Sequence, residues 1–242
     1  MPDNLGTYVL NFDSCNQRCL FCLQADYINR GNRVTYSKVA KEIIDAKKMG
    51  YKNIDFYGGE PTCFAFLKRT VRLANSLSLT ATLATNCVRF SSLAYAESFF
   101  SGVKIAGLRT SLHSHKPQVH DAITQVQGSF LRTIAGIGNV LRHNKRLSVN
   151  IVIHKLNYEE IINMVYYIYG LGVRGIKFSG LSLQGNLLKN RWLLVDPDCY
   201  SARLIKAIES SRKLGFRHIE VEKLPPRILG ARQLKFVRFP GT

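Results

Sequence analysis

Residues 7–22 read TYVLNFDSCNQRCLFC. An extended run, Thr7–Phe12, passes without a break into a loop carrying Cys15, Cys19 and Cys22. The spacing is C-x3-C-x2-C. Three thiolates on one short loop can converge on a metal centre and leave a fourth position open, whereas a structural zinc site is closed by a fourth protein ligand. Iron–sulfur clusters are likewise held by cysteine thiolates, normally four. The loop therefore implies either a distant fourth ligand or a cluster with a vacant iron. Cys63, Cys87 and Cys199 complete a set of six cysteines. A disulfide framework does not suit so long a chain with three thiols crowded into one loop.

Outward from that loop the pattern alternates. Tyr36–Met49 carries Val39, Ala40, Ile43, Ile44 and Ala46 at helical spacing, with Thr35 before it and Gly50 as a stop. Strands are expected at Asn53–Tyr57, Thr80–Thr85, Gly107–Leu112, Ser148–His154, Gly175–Ser179 and His218–Glu222. Helices are expected at Phe66–Leu77, Ser92–Ser98, Ser129–Arg142, Tyr158–Tyr169 and Pro197–Leu214, with Asn157 and Glu160 forming a capping box on the fifth of the six helices in chain order. A βα unit repeated about six times argues for an α/β fold with a parallel sheet under covering helices. No linker or low-complexity segment interrupts it, so residues 1–242 are read as one domain, with a core of about 7–180 and an extension of about 181–242.

Of the 242 residues, 46% are hydrophobic, enough for one sizeable core and too regular in pattern for a disordered or fibrous chain. No run approaches the roughly 18 apolar residues of a membrane span. The opening MPDNLGTYVL has no basic leader region, which makes a cytoplasmic protein with no membrane partner the expectation. The net charge is +18, from 34 Lys and Arg against 16 Asp and Glu. Lys223–Thr242 holds five basic residues and no acid. Such charge suits an anionic partner, but solvated surface is the preferred reading, and nucleic acid the less favoured partner.

In parallel α/β sheets functional groups gather at the carboxyl ends of the strands. Strand one ends at the cysteine loop and strand two at Gly58-Gly59-Glu60-Pro61-Thr62. Paired glycines let the backbone turn tightly and are expected to expose N–H groups, and Glu60 places a carboxylate at the rim for an ammonium. Strand three ends at Thr85-Asn86, strand four at Ser111, and strand five carries Asn150. All face one mouth.

C-x3-C-x2-C after a first strand, with GGEP after the second, resembles the radical S-adenosylmethionine superfamily, in the branch of molybdenum-cofactor cyclases and peptide maturases. The TN after strand three, the SLH at strand four and the VNIVI of strand five match that branch as well, so the likeness covers roughly residues 7–180. It implies a partial (β/α)6 TIM-like barrel with parallel strands and a short C-terminal helix–strand extension. It also implies a [4Fe–4S] cluster on Cys15, Cys19 and Cys22, one iron being left to S-adenosylmethionine. By the same likeness Gly58, Gly59 and Glu60 hold the methionine ammonium and Phe21 packs on adenine. Ser111, Asn150, Thr85 and Asn86 contact the rest of that cofactor. The implied chemistry is reductive cleavage to a 5′-deoxyadenosyl radical, which takes hydrogen from a peptide or small-molecule substrate. A flavodoxin or ferredoxin would supply electrons. The chain departs from the family in having Cys87 where glycine often follows TN, and Arg227 after Pro225-Pro226 where some relatives have cysteine.

Other residues invite blander readings. Cys63 and Cys87 are read as small apolar fillers, and His113, His115 and His120 as residues of a polar surface loop. Tyr166, Tyr167 and Tyr169 are read as core and rim, and Asp121 as a helix cap rather than a catalytic acid. No catalytic side chain is assigned. The alternatives are a zinc-stabilised nucleic-acid-binding module built on the same cysteines and one histidine, and a barrel that binds without turnover.

Overall fold

The computed structural model describes residues 6–28, 34–229 and 237. Most of the basic tail, residues 230–236 and 238–242, lies outside the described residues. Strands β1 (Thr7–Phe12), β2 (Asn53–Gly58), β3 (Thr80–Ala84), β4 (Gly107–Ser111), β5 (Leu147–Val152), β6 (Gly175–Ser179) and β7 (His218–Glu222) pair in that order, every neighbour parallel. The sheet is an open partial barrel, and the C-terminal strand is its seventh member, in register with β6 from Gly175↔His218 to Ser179↔Glu222.

Helices α1 (Tyr36–Lys48), α2 (Leu67–Ser76), α3 (Leu93–Phe100), α4 (Pro117–Thr124), α5 (Ser129–Arg142), α6 (Ile161–Gly170) and α7 (Pro197–Leu214) fill the connections. Thr35 and Ser92 cap α1 and α3 through their hydroxyls, which accept from Lys38 N and Tyr95 N.

Most strands alternate. Leu10, Phe12, Ile54, Phe56, Leu83, Leu108, Val149, Ile151, Phe178 and Val221 are buried in the main apolar core. Their neighbours on the other face, among them Asp55, Arg109, Asn150, Lys177 and Glu222, line a cavity. Parallel sheets buried on both faces read as continuous apolar runs. Here the period of two survives because the inner face borders an open, polar space. Two ion pairs lie there: Arg109 with Asp55 (2.6 Å), which Thr82 Oγ1 also contacts (2.6 Å), and Lys177 with Glu222 (2.5 Å).

Several local expectations change. Residues 117–124 form a helix, α4, begun by Pro117, whose fixed φ and missing N–H suit a first turn. It turns His120 inward, and His113, just past β4, is buried as well, so these two are not surface residues, whereas His115 is half-buried. His120 Nδ1 accepts from the His113 backbone N–H (3.2 Å), and the two rings stack with centroids 5.2 Å apart. Burial keeps both imidazoles neutral, His120 at about 4. Asp121 does act as a cap, but for the following helix. Its carboxylate accepts from Gly128 N (2.6 Å), Ser129 Oγ (2.8 Å) and Phe130 N (2.8 Å) at the start of α5, where Gly128 offers no side chain. The capping box at Asn157 is not formed. Asn157 instead accepts from His154 N (2.8 Å) and donates to His113 O (3.0 Å) and Val152 O (2.9 Å), tying the β4 and β5 ends together. Tyr166 is exposed, while Tyr167 and Tyr169 pack on the core.

Candidate functional site

The cavity on the inner face measures about 520 Å³. Cys15, Cys19, Phe21, Cys22, Gly59, Glu60, Thr85, Asn86, Ser111 and Asn150 all line it. Of the residues expected to hold the cluster or S-adenosylmethionine, Gly58 alone is missing from the wall.

Gly58 and Gly59 act by letting two chain segments touch. Gly58 has φ +107°, and a Cβ on it would stand 2.4 Å from Phe12 N; one on Gly59 would stand 2.2 Å from Ser14 O. That approach lets Gly59 N donate to Phe12 O (2.8 Å) and Glu60 N to Ser14 O (2.7 Å). The two N–H groups are thus spent on holding the entry to the cysteine loop, and are not exposed to a ligand.

Glu60 is also more deeply engaged than the sequence suggests. It is 1% exposed. Its Oε1 accepts from Thr62 N (3.0 Å), Thr62 Oγ1 (2.6 Å) and Thr85 Oγ1 (2.7 Å), and its Oε2 from Asn86 N (2.6 Å). Burial raises the carboxyl above the usual carboxylate range, and these donors pull against it. Asn86 in turn donates from its side chain to Asn16 Oδ1 (2.6 Å) within the cysteine loop. Glu60, Thr85 and Asn86 therefore lock the tips of β2 and β3 to that loop. Oε2 keeps spare acceptor capacity.

Cys87 sits just beyond, fully buried at φ +61°, the left-handed backbone that favours glycine. The reading of Cys87 as a filler holds, and Cys63 is half-buried beside Glu60.

The cysteine loop is clamped from two sides that the sequence did not flag. On one, Arg18 N and Leu20 N donate to Thr124 O and Ile123 O at the end of α4, both at 2.9 Å. On the other, residues 181–195 form a strap containing two 3-10 turns, Gly185–Leu188 and Arg191–Leu193. Asn186 donates through its backbone to Cys22 O (3.0 Å) and through its side chain to Cys19 O (3.0 Å); Asn190 donates to Leu20 O (2.9 Å). Leu20 and Phe21 pack with Ile123, Leu187 and Leu193 in a small separate apolar cluster. Substituting Asn186→Ala orphans the Cys19 carbonyl. The expected cost is about 1–2 kcal/mol, the scale of one buried hydrogen bond, with faster amide exchange confined to 15–24 and 181–195. Unchanged exchange there would show that the strap does not hold the loop.

The three thiols share one cavity wall and are half-buried. Burial pushes Cys15 up to about 12 and raises Cys19 and Cys22 as well, and each thiolate would disfavour its neighbours. Thiolates in this setting require a cationic partner, which a metal centre provides. Among the described residues no group of three or more His, Cys, Asp or Glu is arranged to hold a single metal ion. The donor set fits a larger thiolate-bound centre with soft ligands better than one ion. Phe21 stands edge-on to His113, with centroids 5.0 Å apart, and Ser111 presents a hydroxyl that makes no hydrogen bond to the described residues.

A family model described as the radical SAM superfamily matches residues 12–168. A probable GTP 3′,8-cyclase of Thermococcus kodakarensis is 27% identical over 172 residues, 68% of this chain and 55% of that protein. PqqA peptide cyclase of Xanthomonas campestris is 28% identical over 171 residues, 69% of this chain and 44% of its own. The chain thus spans about half the length of these curated relatives. In fold it is similar to Streptococcus suis SuiB bound to precursor peptide SuiA, with a TM-score of 0.66 at 19% identity, covering 86% of this chain and 45% of that one. No helix among the described residues is long and apolar enough to cross a membrane.

Proposed function

Because the chain belongs to the radical SAM superfamily, we propose that Cys15, Cys19 and Cys22 bind a [4Fe–4S] cluster and that the protein uses S-adenosylmethionine to start radical chemistry on a peptide. The observation that carries this is the placement of three half-buried thiols on the wall of a cavity that also gathers the ends of β2 to β5. When bound and reduced, a cluster on these three cysteines would supply the electron for reductive cleavage of S-adenosylmethionine, the source of a radical able to take hydrogen from substrate.

The chain's own residues bind and shield. With only three cysteines on the loop, a bound cluster would be left open to the amino acid end of S-adenosylmethionine, and the spare acceptor capacity of Glu60 Oε2 suits its ammonium. The ring of Phe21 offers a surface for adenine. Asn150, whose Oδ1 accepts from Ser179 (2.7 Å), turns its amide donors to the cavity, where with Ser111 it meets ribose or carboxylate. The polar inner face beyond them takes the substrate. A peptide substrate is supported by two of the named proteins, PqqA peptide cyclase and SuiB, which is bound to precursor peptide SuiA. An acidic electron carrier such as a flavodoxin or ferredoxin suits the chain's net charge of +18.

A zinc-stabilised nucleic-acid module accounts for neither the parallel barrel nor the family match. The expected result with anaerobic, reconstituted and dithionite-reduced protein is release of 5′-deoxyadenosine from S-adenosylmethionine, faster with a peptide substrate present. Iron-loaded, reduced protein that releases none would remove this reading and leave a barrel that binds without turnover.

A further inference from the structure

Gln17 lies between two of the proposed ligands and is 8% exposed. Its backbone N–H donates to Cys15 Sγ (3.4 Å). Its side-chain Oε1 accepts the Cys19 S–H (3.8 Å), which leaves Nε2 buried with no partner. Buried polar groups are nearly always satisfied, and an orphan beside a reactive centre points to a partner of another kind.

The amide's two ends explain the mismatch. A carboxamide carries one acceptor oxygen and one nitrogen with two donors. Against a thiol the oxygen is the useful end. A ligating thiolate has no proton to give, and only the nitrogen can then bond it. A half-turn of the amide about its last bond exchanges the two ends and satisfies the orphaned nitrogen.

We propose that Gln17 is a positioning residue that donates its side-chain N–H to the Cys19 sulfur of the cluster-loaded protein and thereby raises the cluster's reduction potential. The proposal rests on the cluster assignment above. An electron added to the cluster increases the negative charge shared onto its sulfurs, so an N–H dipole aimed at one of them stabilises the reduced form more than the oxidised form. Hydrogen bonds to sulfur are among the levers that set such potentials. Gln17 would thus ease the electron uptake on which the radical chemistry depends.

The test is a spectroscopically monitored redox titration of reconstituted wild type, Gln17→Leu and Gln17→Glu. Both substitutions keep most of the side chain's volume and remove its N–H. The expected result is an unchanged iron content with a midpoint shifted to lower potential in both, further in Gln17→Glu. A second measurement needs no variant. With glutamine labelled with 15N in its side chain, electron spin echo spectra of the reduced wild type should show a nitrogen coupling, absent in Gln17→Leu. Equal midpoints at equal iron content, or a reduced wild type without that coupling, overturn the proposal and leave the cluster assignment standing. A wild-type chain that takes up no iron removes the cluster assignment, and this proposal with it.

Discussion

Substituting Cys19→Ala should take reconstituted protein from about four irons per chain to nearly none. Cys19 is the most enclosed of the three loop thiols, and its carbonyl is pinned by Asn186 from the strap. Alanine fits the space, so the apoprotein should fold with little loss of stability. The effect should therefore appear in metal content, measured by iron and sulfide analysis beside circular dichroism. Cys199→Ala is the control, since Cys199 is exposed on α7, away from the cavity wall. Cys63→Ala is the sharper comparison. Cys63 is half-buried and close enough to Cys15 to disfavour its thiolate. It should keep its iron. Loss of iron from Cys63→Ala as well would mean a fourth protein ligand, closing the position that S-adenosylmethionine needs.

The second large effect is on stability. Glu60→Ala should destabilise the metal-free protein by about 3–5 kcal/mol, because the backbone N–H groups of Thr62 and Asn86 lose their acceptor inside the fold. The hydroxyls of Thr62 and Thr85 can rotate toward other acceptors, but those two N–H groups cannot. Glu60→Gln keeps the oxygen that accepts from both threonines and sets its NH2 against the Asn86 N–H, so roughly half the loss is expected. Urea unfolding of the two variants reads both values. A loss under about 1 kcal/mol in Glu60→Ala would show that this carboxylate does not hold the β2 and β3 tips, and would return it to a purely ligand-facing role.

Much of the site is legible in sequence because its chemistry is local. C-x3-C-x2-C needs only a short loop after a strand, and GGE only a tight turn after the next. The order β1 to β7 follows from the βα rhythm, since each right-handed crossover lays its strand beside the last. What escaped was the support. Asn186 and Asn190 read as ordinary polar loop residues, yet they bond carbonyls 167 and 170 positions away in the chain. A short helix over 117–124 carries too few apolar positions to stand out, and its one histidine, His120, looks solvated until α4 turns it inward. The period of two in IDFY, LRTS, VNIV and IKFS, within a parallel sheet, already marks an inner face that borders a cavity.

The chain alone therefore settled which residue types meet and at which strand ends, because spacing along a backbone of known rise dictates them. Only the folded molecule decided what each group has left to offer. Glu60 is almost consumed by its neighbours, the Gly59 amide is spent on β1, and Gln17 keeps an unused donor. Those outcomes depend on hydrogen bonds between segments far apart in sequence, and no local pattern encodes whether a polar group is already satisfied.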